Sequence, residues 1–168
     1  MAAVHFTPSV EVPEPDEADT ISGLIDAMKT ISATTFKDEA KAIRAVHAKS
    51  HALLEGELTV LGGLPPELAQ GLFAQPGTYK TAMRISTSPG DLMDDHVSTP
   101  RGIAIKVYGV EGPQLSNSPA DTTQDFLLVD APAFLAATPK AFLGNVKLLA
   151  STTDKAEGLK RAFSATAR

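Results

Sequence analysis

The 168-residue sequence predicts an α+β fold of about four strands in an antiparallel meander with flanking helices. Three observations carry that expectation. Apolar residues recur on one helical face at Ile21, Leu24, Ile25, Met28 and Ile31. The period then drops to two, with Leu54, Gly56, Leu58 and Val60 alternating with Glu55, Glu57 and Thr59 up to the Gly62-Gly63 turn. A later helical face, at Phe142, Leu143, Val146, Leu149 and Ala150, is announced by Thr138 as cap and Pro139 at the first position.

Taken in order, residues 1–19 place Pro8, Pro13 and Pro15 among Glu11, Glu14, Asp16, Glu17 and Asp19, too polar and proline-rich to pack alone. An extended arm is expected there, with one domain over residues 20–168. Thr20 is the expected N-cap of the first helix, and a second helical stretch is expected from Phe36 to about Val46, ending at His47. The first strand covers Leu54 to Val60. Pro66-Glu67-Leu68-Ala69-Gln70 begins a short helix, with Pro near its first turn, that Pro76-Gly77 closes. Further strands are expected at Thr81–Ser86, Ile103–Val110 and Asp125–Val129, with Ser88-Pro89-Gly90-Asp91 forming a turn. Asp154 with Glu157 three residues later marks the start of another helix.

Four strands do not close a barrel, because small closed barrels need about eight. Such a sheet exposes edges unless a helix, another chain or a second copy covers them, so a homo-oligomer is an expected partner arrangement.

A hydrophobic share of 43% with 21% charged residues belongs to a globular protein, and no stretch approaches the roughly 20 apolar residues of a membrane span. The start lacks a basic segment followed by an apolar run, so a cytoplasmic location is expected. Cysteine is absent, which removes disulfides, thiolate nucleophiles and iron–sulfur clusters. A net charge of −5 with dispersed Lys and Arg, two Tyr and no Trp argues against nucleic acid.

Of the four histidines His5, His47, His51 and His96, the pair His47 and His51 has the spacing of two ligands on one helical face. No HExxH carboxylate accompanies them, and the change of period just after His47 puts the pair across a helix-to-strand junction. No metal-ligand set is expected. The plain alternative for each is a surface or core histidine.

Four segments in order are more specific: Arg44-Ala45-Val46-His47-Ala48-Lys49, Met83-Arg84-Ile85-Ser86-Thr87, the stretch from Thr99-Pro100-Arg101-Gly102 to Tyr108, and Asp125-Phe126-Leu127-Leu128-Val129-Asp130 followed by Phe134. Together they resemble the amino-terminal half of the haem catalase superfamily, nearer its short, divergent members than its large enzymes. The resemblance implies a catalase-like antiparallel β-barrel half with flanking helices, truncated before the proximal half. It also implies a haem b cofactor and an oxidoreductase of catalase or peroxidase type that decomposes hydrogen peroxide or organic hydroperoxides.

The resemblance gives roles to individual residues. His47 is the distal histidine that passes a proton between the two oxygens of a peroxide, work suited to an imidazole. Ser86 orients it, the alternative being an ordinary strand residue. Arg44 and Arg84 are anchors for the haem propionates through charge-assisted contacts, and otherwise are surface arginines. Phe126 and Phe134 supply an apolar wall for the porphyrin, or are simply core; Val46 and Ile103 line the same pocket.

Two departures from the family pattern stand out. Asp121, with Thr122 and Asn117 nearby, falls where the family carries an asparagine beside the histidine, and an ionised aspartate donates no hydrogen bond. Tyrosine is the iron ligand of catalase, and in the family it follows an arginine by four residues. Tyr79 and Tyr108 follow Gln75 and Ala104 instead. The alternative reading is therefore a truncated, haem-poor, non-enzymatic fragment, or half of an assembly whose carboxy-terminal half is a separate chain.

Overall fold

The computed structural model describes residues 13–112, 122–153 and 155. Two helices, α1 (Glu17–Glu39) and α2 (Pro139–Thr152), bracket four strands: β1 (Ser50–Val60), β2 (Gly77–Thr87), β3 (Arg101–Tyr108) and β4 (Thr123–Val129). The strands form one antiparallel sheet in the order β1-β2-β3-β4, open rather than closed into a barrel. The α+β class and the four-strand meander thus agree with the sequence.

The chain divides into two compact units. The first, including Ala52–Ile85 and Ile103–Leu128, holds most of the sheet. Its core is Val60, Leu72 and the fully enclosed Val107, with Leu58, Tyr79, Ile105, Val110 and Phe126 packed against them. Its first, second and fourth strands start earlier than expected, and cross-strand contacts lie near two of those starts. Thr59 and Thr78 hydroxyls meet at 3.4 Å near the start of β2, and the Lys106 ammonium reaches Asp125 at 2.8 Å near the start of β4.

The second unit contains Glu14–His51, Ser86–Gly102 and the chain from Val129. Here α1 packs on α2, burying Ala27, Ile31 and Val146, with Leu24, Met28, Ala45, Phe142, Leu149 and Ala150 around them. The Thr138 hydroxyl accepts from the Ala141 N–H at 3.1 Å with Pro139 next to it, the N-terminus expected from sequence. At the other helix the expectation was off. α1 begins at Glu17, and Thr20 is buried inside it instead of capping it. The helix therefore takes Glu17 to Asp19 from the supposed arm, whose residues 1–12 lie outside the described residues. The Asp16 side chain makes no cap hydrogen bond because it is engaged by Lys140, whose hydrogen bond holds the Asp16 carboxyl below its ordinary pKa.

The second helical stretch expected from Phe36 to Val46 does not form. Phe36 to Glu39 complete α1, which stops at Ala40 in the left-handed region with φ 53°. Beyond it, the N–H groups of His47 and Ala48 are given to the carbonyls of Ser88 (2.8 Å) and Pro89 (3.3 Å), so they cannot close helical turns. Likewise Pro66 to Gln70 is a turn held on the Pro65 carbonyl rather than a helix, and one 3₁₀ turn follows at Gly71–Phe73. β3 starts two residues earlier than expected and ends before Gly109, whose φ is 76°. The helix expected from Asp154 lies outside the described residues.

Candidate functional site

The segment between α1 and β1 carries Arg44, Val46 and His47. His47 has φ 52°, a conformation costly for a side chain with a Cβ, and it is retained because neighbouring hydrogen bonds over-determine it. The His47 and Ala48 N–H groups bond to the 88–89 turn, Ser88 N–H donates to Pro100 O at 3.0 Å, and Thr87 N–H to Lys49 O at 3.0 Å. Gly90 makes this possible. A Cβ there would stand 2.3 Å from the Ala45 carbonyl oxygen and 2.9 Å from Ile31 Cγ2, so only glycine lets the turn approach.

Held in this way, His47 brings Nδ1 to 3.0 Å from Oγ of Ser86, which is buried near the end of β2. Either partner can donate, according to the imidazole tautomer. His51, in β1, is held by the next residue of β2: its Nε2 lies 2.5 Å from the Thr87 hydroxyl and its Nδ1 3.6 Å from Asp95. Because successive strand residues point to opposite faces, Ser86 and Thr87 give the two histidines different partners. Among the described residues no group of three or more His, Asp or Glu is placed to hold a metal ion.

Around His51 lies a charged network. Lys49 Nζ binds Asp95 at 2.8 Å and the Met93 carbonyl at 2.6 Å. That hydrogen bond, reinforced by the lysine charge, holds the Asp95 carboxyl below its ordinary pKa. Arg101 ties down the same loop, donating to Thr99 O (3.1 Å), Thr99 Oγ1 (2.7 Å) and Asp95 O (3.3 Å). Its backbone pairs reciprocally with Asp130: Arg101 N–H donates to Asp130 Oδ1 at 2.7 Å and Asp130 N–H to Arg101 O at 3.0 Å.

Of the other residues singled out in the sequence, Arg44 is exposed and Val46 half-buried in the loop before His47. Phe134 is 63% exposed, its ring 5.4 Å from that of Phe142 in α2. Arg84, Ile103 and Phe126 belong to the first unit. There Phe126 packs against the Val60–Leu72–Val107 cluster, 6.2 Å from the Phe73 ring. Thr122 is exposed, its carbonyl accepting from Val110 N–H, while Asn117 and Asp121 lie outside the described residues.

Sequence reasoning gave Gly90 only as a turn residue and Gly102 no role of its own. Gly102 is a lone glycine inside a strand, and such a residue signals close approach by another group.

The fit to the haem that the resemblance implies can be checked only among the described residues. The distal requirement is an imidazole braced by a hydroxyl, which His47 and Ser86 meet. For the axial oxygen, Tyr79 packs in the sheet's apolar cluster and Tyr108 follows Ala104, so neither has the family's arrangement. No family model, curated protein or solved structure matches the chain.

Proposed function

We propose that this chain provides the distal, peroxide-handling side of a haem-dependent catalase- or peroxidase-like site. One observation carries the reading: the 3.0 Å contact between His47 Nδ1 and Ser86 Oγ, which joins two of the four family-like segments as the resemblance implies. A bound haem would supply the redox-active iron at which the O–O bond breaks. With Nδ1 engaged by Ser86, His47 Nε2 is the atom that takes a proton from one peroxide oxygen and returns it to the other. Ser86 holds the ring for that task, as groups behind a functional histidine do elsewhere. In the same unit, Arg44 is offered to a propionate, and Val46 and Phe134 to the porphyrin's apolar surface. The cofactor roles of Arg84, Ile103 and Phe126 rest on the resemblance alone. The substrate class is hydrogen peroxide or an organic hydroperoxide.

The test is titration of the purified chain with haemin, followed by peroxide turnover. A Soret band with saturable uptake is expected, and His47→Ala should keep most of the haem while slowing O–O cleavage about 10²–10⁴-fold. If His47→Ala strips the haem, the residue is an iron ligand and the assignment is reversed. A second reading, a haem-poor non-enzymatic fragment or half of a two-chain assembly, is favoured by the placement of Tyr79 in the apolar cluster. Absence of a Soret band, together with turnover indifferent to His47→Ala, would select it.

A further inference from the structure

Gly102 is the second residue of β3 and is buried. A Cβ built on it would stand 2.4 Å from His47 Cε1 and 2.7 Å from His47 Nδ1, closer than carbon and nitrogen pack. Its φ lies outside the left-handed region, so the backbone itself accepts an L side chain. The imidazole, not the chain conformation, is what excludes one.

We infer that Gly102 is a positioning residue for His47: its bare Cα forms the wall against which the imidazole edge rests, and with Ser86 it sets the direction of the ring. Three constraints then act on one side chain. The His47 backbone is fixed by its 2.8 Å bond to Ser88 O, Nδ1 is fixed by Ser86 Oγ, and the ring edge is fixed by Gly102. The wall itself cannot retreat easily. Arg101, immediately before it, is locked to Asp130 by two hydrogen bonds, its N–H donating to the Asp130 carboxylate and its carbonyl accepting from the Asp130 N–H, and to the 95–99 loop by its guanidinium. An added methyl at position 102 therefore moves the ring rather than the strand, and it moves Nδ1 away from Ser86. The catalytic consequence rests on the proposed role of His47, because general acid-base transfer requires hydrogen-bond reach and a displacement of about 1 Å can cost on the order of 10²-fold. The contact itself does not depend on that role.

The experiment uses the full chain with ¹⁵N-labelled histidine. In Gly102→Ala the His47 Nδ1 and Nε2 chemical shifts should move to those of Ser86→Ala. In Gly56→Ala, where the nearest atom to the new methyl would be 3.9 Å away, they should stay at wild-type values. Thermal melting gives an independent arm: Gly102→Ala should lower Tm in the His47 background and lose most of that effect in a His47→Gly background, where the ring is gone. A folded Gly102→Ala protein with wild-type His47 shifts, or an equal loss of Tm in both backgrounds, overturns the inference. If Gly102→Ala alone does not fold, recovery of folding by His47→Gly supports it and continued failure overturns it. A wild-type chain that takes up no haem and turns over no peroxide would remove the proposed function yet leave the shifts and the Tm cycle to decide on Gly102.

Discussion

The loop from Ala45 to Lys49 is shaped residue by residue. His47 adopts a positive φ and Gly90 makes room for the Ala45 carbonyl, so the two positions depend on each other through the hydrogen bonds between the 47–48 and 88–89 segments. Gly90→Ala presses a methyl against a backbone oxygen that has no rotamer to escape into. A loss of about 1–3 kcal/mol or more is expected in urea denaturation, in the range of overpacking. A variant as stable as wild type would mean that the turn stands further from Ala45. His51→Ala gives the contrast to His47→Ala. Its ring is committed to Thr87 and Asp95, on the opposite face of β2 from Ser86, so any peroxide turnover of the haem-loaded chain should change little. A loss as large as that of His47→Ala would transfer the proton shuttle to the Thr87 side.

At the level of elements, the helix pair α1 and α2 carries the second unit. Ile31, 2% exposed, touches the centre of that contact, whereas Ile21 is 47% exposed on the same helix. Ile31→Ala should cost about 2–5 kcal/mol and Ile21→Ala less than about 0.5 kcal/mol, measured as the shift in unfolding midpoint. Equal effects would place the buried face elsewhere. The ion pairs Asp16–Lys140 and Lys49–Asp95 fix the pH window. Both carboxyls are depressed below 3.8, so their contribution is complete above that value and is lost as pH falls through the lower folded values. Lys140 is raised above 10.5, so its share is complete below 10.5 and is lost as pH climbs through the folded value. Between about pH 5 and 9 these groups should leave Tm flat; a Tm slope there that Asp16→Asn abolishes would contradict the assignment. Much of this level was legible in the sequence. Period and caps located α2 and all four strands, because those signals are local. The Phe36–Val46 stretch is not one helix because Ala40 turns left-handed and the His47 and Ala48 donors go to the 88–89 turn, and Thr20 is no cap because its N–H already bonds to the Asp16 carbonyl inside a helix that starts at Glu17. The candidate site was legible as residue types, His47 and Ser86, but not as geometry. Gly102 could be recognised only once β3 lay beside His47.

For the molecule as a whole, the open sheet is the dominant fact. β1 and β4 are its edges, and Leu53 in β1 (75% exposed) and Leu127 in β4 (82% exposed) present apolar surface there. Among the described residues these edges carry no further strand, and such edges next to exposed leucines favour pairing with another chain. Light scattering at micromolar concentration should return a species larger than a monomer, and Leu53→Lys with Leu127→Lys should shift it toward the monomer. A compact monomer in the unmodified chain would rule out self-association as the way these edges are covered.

The two units also interleave along the chain, which crosses between them at Pro13–Glu14, His51–Ala52, Ile85–Ser86, Gly102–Ile103 and Leu128–Val129. No single stretch of polypeptide contains His47 together with its supports, since Ser86 lies 39 residues away and Gly102 further still. Contacts of such separation form late, because loop closure must precede them. During ribosomal synthesis His47 therefore emerges long before anything can hold it, and in refolding its side-chain signal should settle with the slowest phase, after the two helices have acquired theirs.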